Sequence, residues 1–239
     1  MRHLLALSAR ALACAVLLVT LAAQAPNSGP PVDLQLALAV DASGSVSQER
    51  FELQKQGYAA AFRHPRVLAA VRSGPRQAIA VTMFQWTGPW MQVHAVKWMR
   101  IEDEESAFAL AAAIETMPRG LFGGGTSISG AIDYAMTLFP DSPFPAARRV
   151  IDISGDGANN RGRPVQNARD DAVRAGAAIN GLPILMLEPQ LDLYYENNVV
   201  GGPGAFVIAA KSYETFAQAI LQKLIVEISS RPPPTLARR

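Results

Sequence analysis

The chain has 239 residues, 49% of them hydrophobic, and carries 22 basic and 20 acidic side chains. This length can bury an adequate core without disulfides, and the single cysteine excludes a disulfide within the chain. Removing a predicted leader that contains Arg2 and Arg10 would leave 22 − 2 = 20 basic residues against 20 acidic ones. A neutral mature surface argues against nucleic acid or an anionic membrane as the main partner.

The first residues are typical of an export signal. Basic side chains precede an unbroken apolar or small stretch over 11–23, and Ala23-Gln24-Ala25 fits a small-residue cleavage site. An uncleaved anchor is the alternative, but a membrane span needs about 20 apolar residues. We therefore predict a signal peptide over 1–25, a short linker over 26–32, and a periplasmic or secreted protein with no stable membrane insertion after cleavage. The Pro-rich segment 231–239 is predicted to be a disordered tail.

From Asp33 onward, apolar runs of strand length alternate with longer helical patterns, which predicts a mostly parallel sheet covered by helices. Strands are predicted over 34–40, 77–85, 149–154, 182–187 and 205–209, with 91–96 as an antiparallel partner near an edge. Helices are predicted over 47–62, 102–117, 128–139, 165–179 and 216–228. We predict one α/β domain over 33–230, a doubly wound sheet with helices on both faces and one antiparallel edge strand.

The first candidate site follows the first strand. Asp41-Ala-Ser43-Gly-Ser45 places a carboxylate and two hydroxyls at alternate positions, with Gly44 allowing a tight turn. Oxygen ligands of this kind suit a hard cation such as Mg²⁺. Alone, the pentapeptide is weak evidence, because Asp, Ser and Gly are ordinary turn residues.

Two later loops strengthen the prediction of a single site. Thr126 opens a helix after a Gly-rich loop, and Asp156 follows the strand over 149–154. In open α/β sheets, ligands bind beyond the carboxyl ends of the strands, where the winding direction reverses. If the strands before Asp41 and Asp156 are neighbours there, all three loops border one crevice.

These three loops resemble the metal-ion-dependent adhesion site (MIDAS) of the von Willebrand factor A (VWA) domain. Asp41, Ser43 and Ser45 match its Asp-x-Ser-x-Ser pattern, Thr126 matches its second-loop Thr, and Asp156 matches its third-loop Asp. The chain is most similar to an exported bacterial VWA-like family of unknown function. The segment 194–206 is not part of the ordinary VWA pattern.

The resemblance implies a protein-binding module rather than an enzyme. Ser43, Ser45 and Thr126 would contact Mg²⁺ directly, or Mn²⁺ or Ca²⁺ in its place, while Asp41 and Asp156 would often act through water. The metal would then engage an Asp or Glu of a partner protein. A loop network without metal is the plain alternative.

Two enzymatic functions are alternatives to a binding module. Gly125-Thr126-Ser127 resembles the nucleophile motif of subtilisin-like hydrolases, with Asp41 as the acid and His64 as the base. His64 lacks that family's His-Gly context, and Ser43, Ser45 and Asp156 would have no role. Metal-assisted hydrolysis is the second option, but no general base with a distinctive setting is visible.

We expect the leader to be removed, because a charged start, an apolar run and a small-residue site occur in that order. Mass spectrometry of protein from the cell envelope should show an N-terminus between Gln24 and Asn27. Membrane-embedded protein that retains Met1 would contradict this prediction.

Overall fold

The computed structural model describes residues 29–229, so the expected signal peptide over 1–25 and the tail over 231–239 lie outside the described residues. Five strands form one sheet in the order β3-β2-β1-β4-β5. They are β1 Val32–Asp41, β2 Ile79–Trp86, β3 Gln92–Ile101, β4 Ala146–Gly155 and β5 Ala177–Pro183. Strand β3 pairs with β2 in antiparallel fashion at one edge, and every other neighbouring pair is parallel. The predicted antiparallel edge strand is thus confirmed.

Helices cover both faces of the sheet, as predicted. The helices are α1 Gln48–Arg63, α2 Pro65–Arg72, α3 Glu104–Thr116, α4 Ile128–Leu138, α5 Val165–Arg174, α6 Leu191–Tyr194 and α7 Phe216–Ser229. Helices α1, α2, α3 and α7 pack together on one face, whereas α4 packs with α5 and against β1 and β4 on the other. Within residues 29–229, no helix is long and apolar enough to cross a membrane.

Local sequence signals account for most of these boundaries. The Ser47 side chain accepts a hydrogen bond from the Arg50 amide and caps α1. Asp103 and Ser106 form a reciprocal capping box that starts α3. Pro65 stops α1 but also begins α2, since proline is tolerated in the first turn of a helix. The sequence did not predict α2.

The order of the strands creates one switch point. From β1 the chain moves outward through β2 to β3, and then returns across β1 to β4 on its other side. The carboxyl ends of β1 and β4 therefore lie side by side, with Val40 in register with Ser154. Residues directly after either strand enter a crevice between loops that diverge to opposite faces.

The helix predicted over 165–179 is too long. It ends at Arg174, and Gly176 has a positive φ of 85°, a conformation suited to a helix end. Ile179 instead lies in β5, so the predicted strand over 182–187 begins and ends too late. The error arises because Ala and Ile satisfy a helical spacing and a buried strand equally well.

Two further segments differ from the prediction. The predicted strand over 205–209 is reduced to isolated bridges, one of them between Gly181 and Val207. Helix α6 and a π-helical turn, Tyr195–Val199, were not predicted. Tyr195 of this turn is completely buried in the core on one face of the sheet. Packing of this single aromatic side chain, rather than a repeated spacing of apolar residues, therefore fixes the segment.

A fully buried charged cluster joins β4 to α7. The Lys223 Nζ lies 2.7 Å from an Asp152 carboxylate oxygen and 3.1 Å from Glu227 Oε1. Asn180 Nδ2 donates to Glu227 Oε1 at 2.5 Å. An acid within a predicted strand, such as Asp152, is expected to be buried and to need a hydroxyl, amide or Arg partner. Asp152 is buried, but its partner is Lys223 of α7.

Burial raises the pKa of Asp152 to about 7, although the Lys223 charge opposes the rise. Because the folded pKa is above the unfolded value of 3.8, the stability that this group contributes is full at low pH and is lost as the pH rises towards 7. Lys223 is therefore most important from neutral pH upward, where an increasing fraction of Asp152 is ionised.

Replacing Lys223 with Met should lower the free energy of unfolding by about 3–5 kcal/mol at neutral pH, because buried carboxylates lose their counter-ion. The loss should be smaller near pH 4, where Asp152 is protonated. Urea unfolding at the two pH values measures the difference, and Lys211→Met, at an exposed lysine, is the matched control. An equal loss at both pH values would show that lost packing dominates.

Candidate metal centre

The first loop, residues 42–47 between β1 and α1, turns sharply at the end of β1 and holds its oxygens close together. Asp41 is fully buried, and one of its carboxylate oxygens accepts a hydrogen bond of 2.7 Å from the Ser43 amide. The Ser43 and Ser45 hydroxyls lie 3.2 Å apart. The Ser45 hydroxyl donates to Asp156 Oδ1 at 2.5 Å. The first and third loops are thus joined side chain to side chain.

The third loop, residues 156–164 between β4 and α5, places a second buried acid, Asp156, beside Asp41. The Asp156 amide lies 3.4 Å from Asp41 Oδ2, and the Tyr213 hydroxyl donates to Asp156 Oδ2 at 2.9 Å. A Cβ at Gly155 would lie 3.0 Å from Asp41 Oδ2. A side chain there would crowd the carboxylate, so the glycine that ends β4 permits the close approach.

The second loop, residues 117–127 between α3 and α4, approaches the third loop through backbone and side-chain amide contacts. Glycines 123, 124 and 125 all have positive φ, which larger residues adopt only with strain. The Thr126 amide donates to Asn160 Oδ1 at 2.9 Å, and the Asn160 amide donates back to the Thr126 carbonyl at 2.9 Å. The space beside the Thr126 hydroxyl is bordered by Gly157, whose Cβ position lies 3.6 Å from that oxygen.

The structure therefore brings all five predicted residues to the carboxyl edge of the sheet. These residues are Asp41, Ser43, Ser45, Thr126 and Asp156. Four are buried and Ser45 is half-buried. Hydrogen bonds join Asp41, Ser43, Ser45 and Asp156 directly, whereas Thr126 is tied to the third loop through Asn160.

The two acids carry a charge that the protein does not balance by an ion pair. Burial raises the pKa of Asp41 to about 7, and the nearby charge of Asp156 adds to the rise. Neither acid forms a salt bridge within residues 29–229. The guanidinium of Arg119 is close, but it donates to the carbonyls of Ala42 and Val46 instead.

The donor set fits a hard divalent cation. Hydroxyl and carboxylate oxygens are the ligands that Mg²⁺ and Ca²⁺ prefer, and a cation would offset the charge of two adjacent buried acids. In the described part of the chain, no group of three His, Cys, Asp or Glu side chains could hold a metal. A cation bound here would consequently depend on the serine and threonine hydroxyls.

Several supporting residues have no clear sequence signal. Tyr213 lies far along the chain from Asp156, and its role appears only when α7 packs on the sheet. Asn159 and Asn160 are ordinary turn residues in sequence, yet they accept hydrogen bonds from the Ser129 and Thr126 amides. Their side chains join the third loop to the second.

The subtilisin-like arrangement is not assembled. His64 caps the start of α2 and directly follows α1. Helix α1 has sixteen residues and begins beside the first loop. A helix of that length spans about 24 Å. The Ser127 hydroxyl instead accepts from the Gly130 amide and caps α4. The proposed base therefore lies near the opposite edge of the sheet from the proposed nucleophile.

The Tyr213 hydroxyl should stabilise the folded protein through its bond to Asp156. Replacing Tyr213 with Phe should lower the free energy of unfolding by about 1.5–3 kcal/mol, the range for a hydrogen bond to a charged group. Urea unfolding in EDTA measures the loss, and Tyr134→Phe provides a control at a half-buried tyrosine of α4. Equal stability of the two variants would contradict the structural role of this bond.

Comparison with solved structures shows the VWA fold. A mussel byssus protein, proximal thread matrix protein 1 with a zinc-occupied MIDAS motif, matches over 83% of this chain and 48% of its own, at 14% identity and a TM-score of 0.58. A von Willebrand factor type A protein from Catenulispora acidiphila matches over 83% of this chain and 43% of its own, at 14% identity and a TM-score of 0.54.

The pilus adhesin SpaC of Lactobacillus rhamnosus GG matches over 83% of this chain and 30% of its own, at 14% identity and a TM-score of 0.59. The chain thus spans less than half the length of these three proteins, and the low identities establish the fold alone. No curated protein matches the chain in sequence.

A family sequence model matches residues 31–232, which is most of the chain and includes all three loops. Together with the VWA fold, this match identifies the chain as a member of the family described as "Protein of unknown function (DUF1194)".

Proposed function

We propose that the protein is an exported VWA-type binding module that uses a Mg²⁺ ion to engage an acidic residue of a partner protein. The observation that carries this proposal is the pairing of two buried carboxylates, Asp41 and Asp156, with no ion-pair partner among residues 29–229. The hydroxyls around them complete an oxygen-rich set. Such a site is better suited to binding a cation than to a metal-free loop network.

The residues divide into two groups. Ser43, Ser45 and Thr126 would contact the metal through neutral hydroxyl oxygens, and Asp41 and Asp156 would hold it through water. The amide of Ser43 and the hydroxyl of Tyr213 already bind one oxygen of each carboxylate and so orient the acids. Neutral direct ligands leave the ion with much of its positive charge.

That residual charge defines the chemistry of the partner. An Asp or Glu side chain supplies a compensating anion at a position otherwise available to water. Such a contact is directional and dominated by charge, so it favours an acidic side chain on a complementary surface. We propose a binding role rather than catalysis, because no histidine hydrogen-bonds to the five residues or Ser127 in the described part of the chain.

The similar structures lend support to these proposals without establishing them. The zinc-occupied MIDAS motif of the mussel protein indicates that a related fold can hold a divalent metal. SpaC is a pilus adhesin, which is consistent with a binding role for this fold. Mg²⁺ is our proposed ion, with Mn²⁺ and Ca²⁺ as alternatives, and the leader-like segment 1–25 supports a periplasmic or secreted location.

The metal should be dispensable for folding but required for partner binding. The core is formed by buried strands and helices, so protein in EDTA should unfold cooperatively, and Mg²⁺ should raise the melting temperature by binding the native state. Asp41→Ala and Thr126→Ala should each remove that rise and leave the circular dichroism spectrum unchanged. Asp33→Ala, at the opposite end of β1, is the matched control.

Partner binding is tested with envelope proteins captured in Mg²⁺ and released by EDTA. A specific partner should be lost with Asp41→Ala, retained with Asp33→Ala, and lost again when one acidic residue of the partner is replaced. Binding that persists in EDTA or with Asp41→Ala would show that no metal mediates recognition.

A further inference from the structure

A cavity of about 450 Å³ lies immediately beside the candidate metal centre. Pro89 and Trp90 of the β2–β3 turn form one wall, Tyr134 of α4 lies in another, and Ser127 and Ser129 contribute buried hydroxyls. Thr126 and Ser127 are consecutive, so the proposed metal ligand and the cavity share one short loop. Consecutive Cα atoms are only about 3.8 Å apart.

Trp90 is unusual in both its exposure and its backbone. Its surface is 94% exposed, and its φ is +58°, in the left-handed region. A bulky residue is rarely found there, because its Cβ approaches the following carbonyl. Neither internal packing nor backbone preference therefore accounts for a tryptophan at this position. Contact with another molecule would account for it.

The cavity suits an uncharged side chain. The Arg163 guanidinium and the Asp133 carboxylate at its edge bind each other through two hydrogen bonds, of 3.0 and 2.5 Å. Because these charges are already paired, they offer little to a charged ligand. Gly162, with a positive φ, keeps the inner end open, since a Cβ there would lie 2.6 Å from the Ser127 hydroxyl.

Other apolar side chains are exposed on the neighbouring loops. Phe122 is 68% exposed and stacks on Arg119, whose guanidinium carbon lies 4.7 Å from the ring centre. Met91 is partly exposed, and its sulfur packs where a Gly124 side chain would otherwise lie. Exposed apolar residues thus lie on the loop that carries Thr126 and on the β2–β3 turn.

We infer that Trp90 and this cavity form a second contact point for the same partner, receiving an aromatic or large aliphatic side chain close in sequence to the acid that reaches the metal. This inference rests on the proposed function. The partner's apolar side chain would contribute affinity, and the contact of its acid with the metal would fix the position of the bound segment.

The test uses a phage library of random twelve-residue peptides selected on the full mature protein in Mg²⁺ and eluted with EDTA. We expect the eluted peptides to share an Asp or Glu with an aromatic or large aliphatic residue at a constant, short spacing. One such peptide is then synthesised and titrated into the wild type and four variants by calorimetry.

Trp90→Gly should weaken peptide binding by about tenfold, which corresponds to about 1.4 kcal/mol. Its melting temperature should be nearly unchanged, because glycine adopts a positive φ without strain. Thr137→Trp, which adds bulk at the cavity wall on α4, should weaken binding similarly. Phe108→Ala, at an exposed aromatic of α3, should have no effect, and Asp41→Ala should abolish binding.

The peptides recovered and their binding to the variants separate failure of the second contact point from failure of the proposed function. Peptides that carry an acid without an apolar neighbour, and that bind Trp90→Gly as tightly as the wild type, would overturn the second contact point and leave the metal centre intact. Peptides that resist EDTA, or bind Asp41→Ala normally, would overturn the proposed function. Recovery of no Mg²⁺-dependent peptide would count against both.

Discussion

The parallel pairing of β1 with β4 is the constraint on which the functional edge of this protein depends. It sets Val40 opposite Ser154, so Asp41, the last residue of β1, and Asp156, the first residue after β4, emerge side by side at the switch point. Two acids in that position repel each other and lose hydration. The fold tolerates them through amide and hydroxyl donors rather than through a counter-ion.

A comparison of the two buried acidic groups in the sheet makes this clearer. In the middle of β4, Asp152 has the ammonium group of Lys223 within 2.7 Å, so this acid has a counter-ion inside the core. At the end of the same strand, Asp156 and its neighbour Asp41 have hydrogen-bond donors but no ion-pair partner in the described part of the chain. The first arrangement stabilises the packing of α7, and the second retains charge that a bound cation would offset.

The loops around the centre are held more firmly than their composition indicates. Asn159 and Asn160 connect the second and third loops, and Arg119 binds the carbonyls of the first. A rigid setting of this kind limits the reorganisation that a metal or a partner would otherwise require. In the neighbouring β2–β3 turn, Trp90 is exposed in a strained conformation, which places an apolar contact next to a polar one.

The sequence by itself determined the α/β class and the antiparallel edge strand, and it predicted five oxygen-bearing residues as one candidate site, because apolar periodicity and short motifs are local signals. It misplaced β5, since Ile179 fits both a helical spacing and a buried strand. Only the tertiary structure decided that Lys223 neutralises Asp152, that Tyr213 orients Asp156 and that Trp90 borders a cavity. The first two contacts join residues 223 − 152 = 71 and 213 − 156 = 57 positions apart, and the third depends on solvent exposure. None of these properties is encoded in a local pattern.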